Sequence, residues 1–420
     1  MDKIVVQGGR RLSGEVQTSG AKNSALPVIA ASLLSARPCH IKNVPDVVDI
    51  RTLVSLLIDL GAEVERPAAG EFRIDCSAIL HQDAPYDLVR TMRASFLVLG
   101  PLLARFGRAR VSRPGGCAIG GRPVDIHLAA MHRLGARIRT RAGYVEASAS
   151  RLRGGHIILE KPSVGATENL LMAASLAAGT TRIENAAREP EVVDLAAVLT
   201  KMGARIEGAG TSVVEIEGRT ELNGFEHSVI GDRIEAGTFL IAGALTRGRV
   251  LVKGARAADH EMLIEALRAS GVEVGVEDGG IRVFADRRPR AVDVTTAPHP
   301  GFPTDLQAQF MVLMCMASGS SVVTETIFEN RFMHVQELMR MGADIRLEGN
   351  RAIVKGQVSL CGASVMATDL RASVCLVLAG LAAEETTEVM RVYHLDRGYE
   401  RLEEKLRGLG ACIERVPVAA

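Results

Sequence analysis

Tryptophan is absent from the sequence, and aromatic residues make up only 3% of its 420 positions. Proteins that hold single-stranded nucleic acid stack its bases on aromatic rings, so the composition speaks against that class. Neither sign of charge dominates: 50 basic residues face 49 acidic ones. A chain-wide field for nucleic acid or for membrane insertion is thereby excluded, whereas a local basic pocket is not. Long apolar runs are also missing. Stretches such as 94–104 and 310–317 fall well short of the ~20 residues a membrane span needs. Residues 1–14 carry charges without an apolar segment, so no secretory signal is read there. The seven cysteines, at 39, 76, 117, 315, 361, 375 and 412, form no CxxC and no metal-like spacing. Most lie in apolar runs as small core residues. Their odd number and scattered spacing fit a reducing cytoplasm.

What the chain does have is an internal repeat. One phrase recurs as Leu60-Gly61-Ala62, Leu134-Gly135-Ala136, Met202-Gly203-Ala204, Ser270-Gly271-Val272, Met341-Gly342-Ala343 and Leu409-Gly410-Ala411. The glycines are 74, 68, 68, 71 and 68 residues apart, which reads as six copies of one α/β unit. Before each glycine runs an amphipathic pattern, as in Leu53, Leu56, Leu57 and Leu60. Asp49, Asp125, Asp259 and Asn330 are expected to be helix N-caps, and the glycine suits the left-handed position that ends a helix. Hairpins are expected downstream, for example over 138–145 and 272–283.

A second helix follows each hairpin, apolar all round and hence buried. The expected starts are Lys22-Asn23, Met92-Arg93, Thr167-Glu168, Asp232-Arg233, Thr304-Asp305 and Asp369-Leu370-Arg371. Each such terminus offers unpaired N–H groups and a positive dipole end. The last copy lacks a strand, and Lys3-Ile4-Val5-Val6-Gln7-Gly8 resembles the missing one. Two three-unit domains are therefore expected, residues 22–230 and residues 1–21 with 231–420. A chain that crosses twice between them permits hinge closure on a ligand.

Against this repeat, Arg113-Pro114-Gly115-Gly116-Cys117-Ala118-Ile119-Gly120-Gly121-Arg122 is a unique glycine-rich insert. It fits neither a Walker loop nor a dinucleotide fingerprint. Arg113 and Arg122 would lower the thiol pKa of Cys117. Lys22-Asn23 stands where a helix start can hold an anion. Arg93, Arg233 and Arg371 occupy equivalent places, and Arg331 and Arg397 lie near later helix starts; together they suggest guanidinium groups lining a phosphate or carboxylate site. Asp305 reads either as a helix cap or as a general base facing a hydroxyl.

Seven stretches carry a family resemblance: Ser19-Gly20-Ala21-Lys22-Asn23, Pro114-Gly115-Gly116-Cys117, Arg122-Pro123-Val124-Asp125, Lys161-Pro162-Ser163-Val164-Gly165-Ala166-Thr167-Glu168-Asn169, Phe302-Pro303-Thr304-Asp305, Glu329-Asn330-Arg331-Phe332 and Asp369-Leu370-Arg371-Ala372-Ser373. In order and over nearly the whole chain they resemble the enolpyruvyl transferases, and among them the UDP-N-acetylglucosamine 1-carboxyvinyltransferases. The resemblance implies an inside-out α/β barrel of two three-unit domains. It implies transfer of the enolpyruvyl group of phosphoenolpyruvate to the 3′-hydroxyl of UDP-N-acetylglucosamine, with release of phosphate and no metal or organic cofactor. This is the first committed step of peptidoglycan biosynthesis.

The resemblance also implies roles. Cys117 matches the general acid that protonates the phosphoenolpyruvate methylene and can form a covalent adduct. Lys22, Arg122 and Arg397 match the groups that hold phosphoenolpyruvate, with Arg331 and Arg371 nearby. Asp305 matches the residue that contacts and deprotonates the sugar hydroxyl, which Asn23 also faces. Arg93, Arg122, Pro123, Val124, Asp125, Ile126, Lys161, Ser163, Val164 and Ile327 match nucleotide-sugar contacts, and Asp369 a carboxylate near the reacting centre. With Cys at 117, where some members carry Asp, alkylation by the epoxide fosfomycin is expected. Two alternatives are an enolpyruvyl transferase using shikimate 3-phosphate or a bare nucleotide, and a catalytically silent regulatory paralogue. The first lacks the Pro-Gly-Gly-Cys loop when it acts on shikimate 3-phosphate. Retention of Lys22, Cys117 and Arg397 speaks against the last.

Overall fold

Alternating strands such as Arg351–Lys355, with Ala352 and Val354 buried and Arg351 and Lys355 exposed, can bury one face only, so each must lie on a covered sheet. A computed structural model describes residues 2–89, 92–113 and 124–417, and among them are six four-stranded sheets. All six share one order: a short strand pairs in parallel with a second, and two antiparallel strands follow. In one, Val294–Thr295 is parallel to Ser320–Thr324, which is antiparallel to Arg351–Lys355, itself antiparallel to Asp344–Glu348. Another is built on Asp2–Gln7, which lies between Thr386–Met390 and Cys412–Pro417 with Ile4 opposite Val389 and Arg415. The expected hairpins form as Arg137–Arg141 with Tyr144–Ser148 and as Glu273–Glu277 with Gly280–Phe284.

In each sheet an amphipathic helix leads into the outer antiparallel strand, the first being Val48–Leu60 before Glu63–Glu65, and all six recurring glycines are left-handed, with φ from 89° to 108°. An L side chain at such a φ crowds its own carbonyl, so glycine recurs there as a helix terminator. The four expected N-caps are a correction. Asp49 lies in the first turn of Val48–Leu60 behind the cap Val47; Asp125 is the first residue of Asp125–Arg133, with Val124 as cap. Asp259 belongs to a 3-10 turn ahead of Glu261–Ala269, and Asn330 precedes the helix Val335–Arg340 by a turn. An acid in a first turn gains from the helix dipole without accepting a capping bond.

The six apolar helices are α1 (Lys22–Ala31), α2 (Leu99–Phe106), α3 (Val164–Ala174), α4 (Arg233–Leu245), α5 (Gln307–Cys315) and α6 (Leu370–Ala382). All nine residues of α5 are buried, as are eleven of the thirteen in α6, so neither helix has a solvent face. Each fully buried leucine there contributes about 1.5–3 kcal/mol. Side-chain caps occur on these helices instead: Ser163 on α3, Asp232 on α4 and Asp369 on α6. Three starts differ from expectation. α3 begins at Val164, which puts Thr167 and Glu168 inside its second turn; Met92 caps a 3-10 segment, Arg93–Val98, ahead of α2; and Thr304 and Asp305 belong to a 3-10 turn, Thr304–Leu306, ahead of α5.

The chain divides into two compact units, with changes of unit at Ser19 to Gly20 and at Ile230 to Gly231. Each has its own apolar core. In the unit spanning 20–230, the last strand, Glu226–Ser228, returns in parallel to the first, Cys39–Lys42. In the other, α4, α5 and α6 pack against one another. Cys39, Cys76, Cys315 and Cys375 are buried in these cores. Burial pushes the Cys39 thiol up to about 11 and those of Cys76 and Cys315 up to about 12, which makes them inert packing groups. No helix among the described residues is long and apolar enough to cross a membrane.

Candidate active site

In the unit holding α1, Lys22 opens that helix and its Nζ lies 3.1 Å from Asp49 Oδ2, both side chains being largely buried. Asn23 follows it, half-buried. Arg93 begins the 3-10 segment before α2, and its charge reaches His127. Burial first, then that charge, pushes the His127 imidazole down to about 3, so the ring is neutral. Asn169 fixes its tautomer. The amide Nδ2, which also donates to the Phe96 carbonyl at 3.2 Å, lies 3.0 Å from His127 Nδ1, while Oδ1 accepts from the Gly100 N–H at 2.8 Å. His127 Nδ1 is thus the acceptor and Nε2 carries the proton.

Around the start of α3, Ser163 accepts from the Ala166 N–H at 3.4 Å, Val164 is half-buried and Lys161 is exposed. Val124 is buried, Asp125 exposed and Ile126 half-buried. Glu168 is buried deep in α3, and its carboxyl is pushed well up by burial, then by Glu191 and Glu189. Cys117, Arg122 and Pro123 lie outside the described residues.

In the other unit, Asp305 meets two of the arginines singled out from sequence. Arg331 Nη2 donates to Oδ1 at 2.5 Å and Arg371 Nη2 to Oδ2 at 3.0 Å. Burial raises the Asp305 pKa, but the charges of Arg371 and Arg331 more than offset it and hold the carboxyl well below the usual carboxylate range. The cap reading of Asp305 is a correction: Pro303 precedes the turn Thr304–Leu306, and no side chain caps that turn or α5. Both carboxylate oxygens are engaged by guanidinium groups, which compete better than backbone N–H groups for a charged acceptor.

Asp369 caps α6, accepting from the Arg371 and Ala372 N–H groups at 2.8 and 3.1 Å. Arg397 ends the 3-10 segment Val392–Arg397. Arg397 and Asp369 both act on His394, the arginine lowering its pKa beyond the effect of burial and the aspartate opposing. His334 is buried beside Asp369 and Arg331, and its ring is pushed down to about 4, mainly by burial. Ile327 is tied down by Glu325, whose Oε1 accepts its N–H at 2.7 Å while Oε2 accepts from Thr304 Oγ1 at 2.8 Å. One buried carboxylate thereby joins the Ile327 loop to the turn that carries Asp305.

Sequence reasoning missed His127, Glu325, His334 and Tyr399. For His127 and His334 the usable signal was a polar residue between apolar neighbours, which is costly unless it is paired; Glu325, between two threonines, and Tyr399, between Gly398 and Glu400, carried no such signal.

The chain resembles known proteins over its full length. The family model described as EPSP synthase (3-phosphoshikimate 1-carboxyvinyltransferase) matches residues 6–406. A UDP-N-acetylglucosamine 1-carboxyvinyltransferase from Anaeromyxobacter sp. (strain Fw109-5) is 60% identical over 419 residues, 99% of each chain. Another of that name, from Geobacter metallireducens, is 55% identical over 416 residues, 99% of this chain and 100% of its own. Among solved structures, the enolpyruvyl transferase NikO from Streptomyces tendae is 30% identical with a TM-score of 0.89, covering 100% of this chain and 99% of its own. EPSP synthase from Acinetobacter baumannii, 18% identical with a TM-score of 0.78 over 99% of this chain and 100% of its own, shares the fold. The chain belongs to the enolpyruvyl transferase family and, within it, to the UDP-N-acetylglucosamine 1-carboxyvinyltransferases.

Proposed function

We propose that this protein transfers the enolpyruvyl group of phosphoenolpyruvate to the 3′-hydroxyl of UDP-N-acetylglucosamine and releases phosphate, as the first committed step of peptidoglycan biosynthesis in the cytoplasm. The observation that carries this is the 60% identity, over 99% of both chains, to a relative of that name. Six sheets of one strand order support the finer reading of six repeated units, and of an inside-out barrel with three units in each domain.

The site residues follow the chemistry. Both substrates are anions and repel each other, so cations must gather them. Lys22, Arg122, Arg331, Arg371 and Arg397 supply that charge. Asp305, ionised between two guanidinium groups, takes the proton of the sugar hydroxyl as its oxygen adds to phosphoenolpyruvate. Cys117 delivers a proton to the methylene carbon. The methyl group so formed then gives a proton back to the Cys117 thiolate as the carbon–oxygen bond to phosphate breaks, which restores the carbon–carbon double bond. Phosphate carries away the proton taken from the hydroxyl. Asn23, Arg93, Pro123, Val124, Asp125, Ile126, Lys161, Ser163, Val164 and Ile327 hold the nucleotide sugar, and Asp369 lies near the reacting carbon. Positioning and fixed charge supply most of the acceleration.

Phosphate release from phosphoenolpyruvate, measured with UDP-N-acetylglucosamine, shikimate 3-phosphate or UMP as acceptor, tests the reading. Release is expected with the UDP-sugar alone. Release only with another acceptor, or with none, would overturn it.

A further inference from the structure

Thr238 in α4, Gln309 in α5, Arg371 in α6 and Tyr399 form a polar cluster to which the reading above assigns no role beyond that of Arg371. Thr238 and Gln309 are fully buried, and Tyr399 and Arg371 are only 4% and 8% exposed. In such surroundings each polar hydrogen needs an acceptor. Thr238 Oγ1 lies 2.8 Å from the Ile234 carbonyl in its own helix, and its single hydrogen goes there. It must then accept from the Tyr399 hydroxyl, 2.9 Å away, so the phenol hydrogen points at Thr238.

The Tyr399 oxygen is left facing two donors, Arg371 Nη1 and Gln309 Nε2, each at 3.3 Å. Gln309 also donates to the Asp305 carbonyl at 2.9 Å. A one-way chain results: Arg371 N–H to Tyr399, Tyr399 O–H to Thr238, Thr238 O–H to a helix carbonyl. Each bond polarises the next. Nη2 at the other arm of the Arg371 fork donates to Asp305 at 3.0 Å, so the guanidinium is held at both ends.

We propose that Tyr399 is a positioning residue for the transfer reaction: its hydroxyl orients the Arg371 guanidinium and, through it, the Asp305 carboxylate that receives the acceptor's proton. The identity of that step rests on the proposed function; the chain of hydrogen bonds does not. Burial raises the phenol pKa, against the opposing effects of Arg371 and Thr238, so Tyr399 remains a neutral donor at working pH.

Tyr399→Phe keeps the ring and removes the hydroxyl. Its kcat is expected to fall about tenfold or more while KM for the acceptor stays within about threefold, the pattern of a lost transition-state contact. A hydroxyl that only satisfied the core would lower the thermal midpoint and leave kcat alone. A second readout is independent of turnover: the 13C carboxyl titration of Asp305, assigned by its loss in Asp305→Asn. A loosened Arg371 stabilises the carboxylate less, so the Asp305 pKa is expected to rise in Tyr399→Phe. A folded Tyr399→Phe with kcat within about twofold of wild type and an unmoved titration would overturn the proposal. If that variant does not fold, Thr238→Val, which removes the acceptor at the far end of the chain, takes its place; an unmoved titration there also overturns it. Should the wild-type protein release no phosphate with the UDP-sugar, the proposed function fails, and the carbon titration alone decides the role of Tyr399.

Discussion

Arg331 Nη2 donates to Asp305 Oδ1 at 2.5 Å, from a side chain only 4% exposed. With Arg371 on the other oxygen, Asp305 is ionised at any pH near neutral and ready to accept a proton. The same ion pairs lower its basicity, so its value lies in placement more than in proton affinity.

Asp305→Asn keeps the shape and removes the charge. Loss of a positioned base is expected to lower kcat by ~100- to 10,000-fold. Two largely buried arginines also lose their counter-ion. Asp305 itself is part-exposed, which moderates the loss of stability to about 2 kcal/mol. The sign with pH follows from the depressed pKa: this stabilisation is complete above the ordinary carboxyl value of 3.8 and is lost as pH falls through the lower folded value. Denaturant midpoints of the two proteins should therefore differ at pH 6 and converge in strong acid.

Glu235 titrates the other way. It is buried at the start of α4, where Ser19 N–H and Lys405 Nζ donate to it, each at 2.6 Å. Burial outweighs both partners and raises its carboxyl to about 7. An acid with a raised folded pKa is neutral in the folded chain while already charged in the unfolded one. Stability is then lost as pH rises from the ordinary 4.5 through 7, by on the order of 3 kcal/mol. Thermal midpoints at pH 5 and pH 8 should show this decline in the wild type and a flatter profile in Glu235→Gln. Equal slopes would remove Glu235 as the cause.

Much of the fold was legible because one glycine repeats. Gly61, Gly135, Gly203, Gly271, Gly342 and Gly410 mark helix ends, and the apolar runs after each hairpin mark buried helices. One misplaced cap has a plain reason. Asp49 answers to Lys22, a residue far away in sequence, and such long-range pairing is invisible to a local pattern. The charged half of the site was likewise legible: Asp305, Arg331 and Arg371 were picked individually, and the fold brings all three together. Tyr399, Thr238 and Glu325 were not, because their importance lies in which hydrogen goes to which oxygen, and only coordinates reveal that.

Cys117 is the residue on which the chemistry can be tested by covalent labelling. Four other cysteines are buried with thiols held far from reactivity. Cys361 is exposed and Cys412 part-exposed, so the site of labelling decides: fosfomycin is expected to add at Cys117, as read by peptide mass, and labelling of Cys361 or Cys412 in its place would count against that role. Cys117→Ser should lose labelling and turnover together. Turnover near the wild-type rate in that variant would remove Cys117 from the mechanism.

The repeated glycine allows backbone strain to be measured apart from packing. Gly410 follows the helix Leu402–Gly408 at φ 95°, and an added Cβ would meet no atom within 4 Å. Gly408 is equally open but has no positive φ. Gly410→Ala forces an L side chain into the left-handed region, which costs about 1–2 kcal/mol. Gly408→Ala replaces glycine inside a helix and gains up to about 1 kcal/mol. Neither residue is placed among the substrate contacts, so kcat should hold in both variants while their denaturant midpoints move in opposite directions. If Gly410→Ala matched the wild type in stability, the helix end would have to tolerate a right-handed residue there, and the recurrence of glycine at all six ends would need a cause other than conformation.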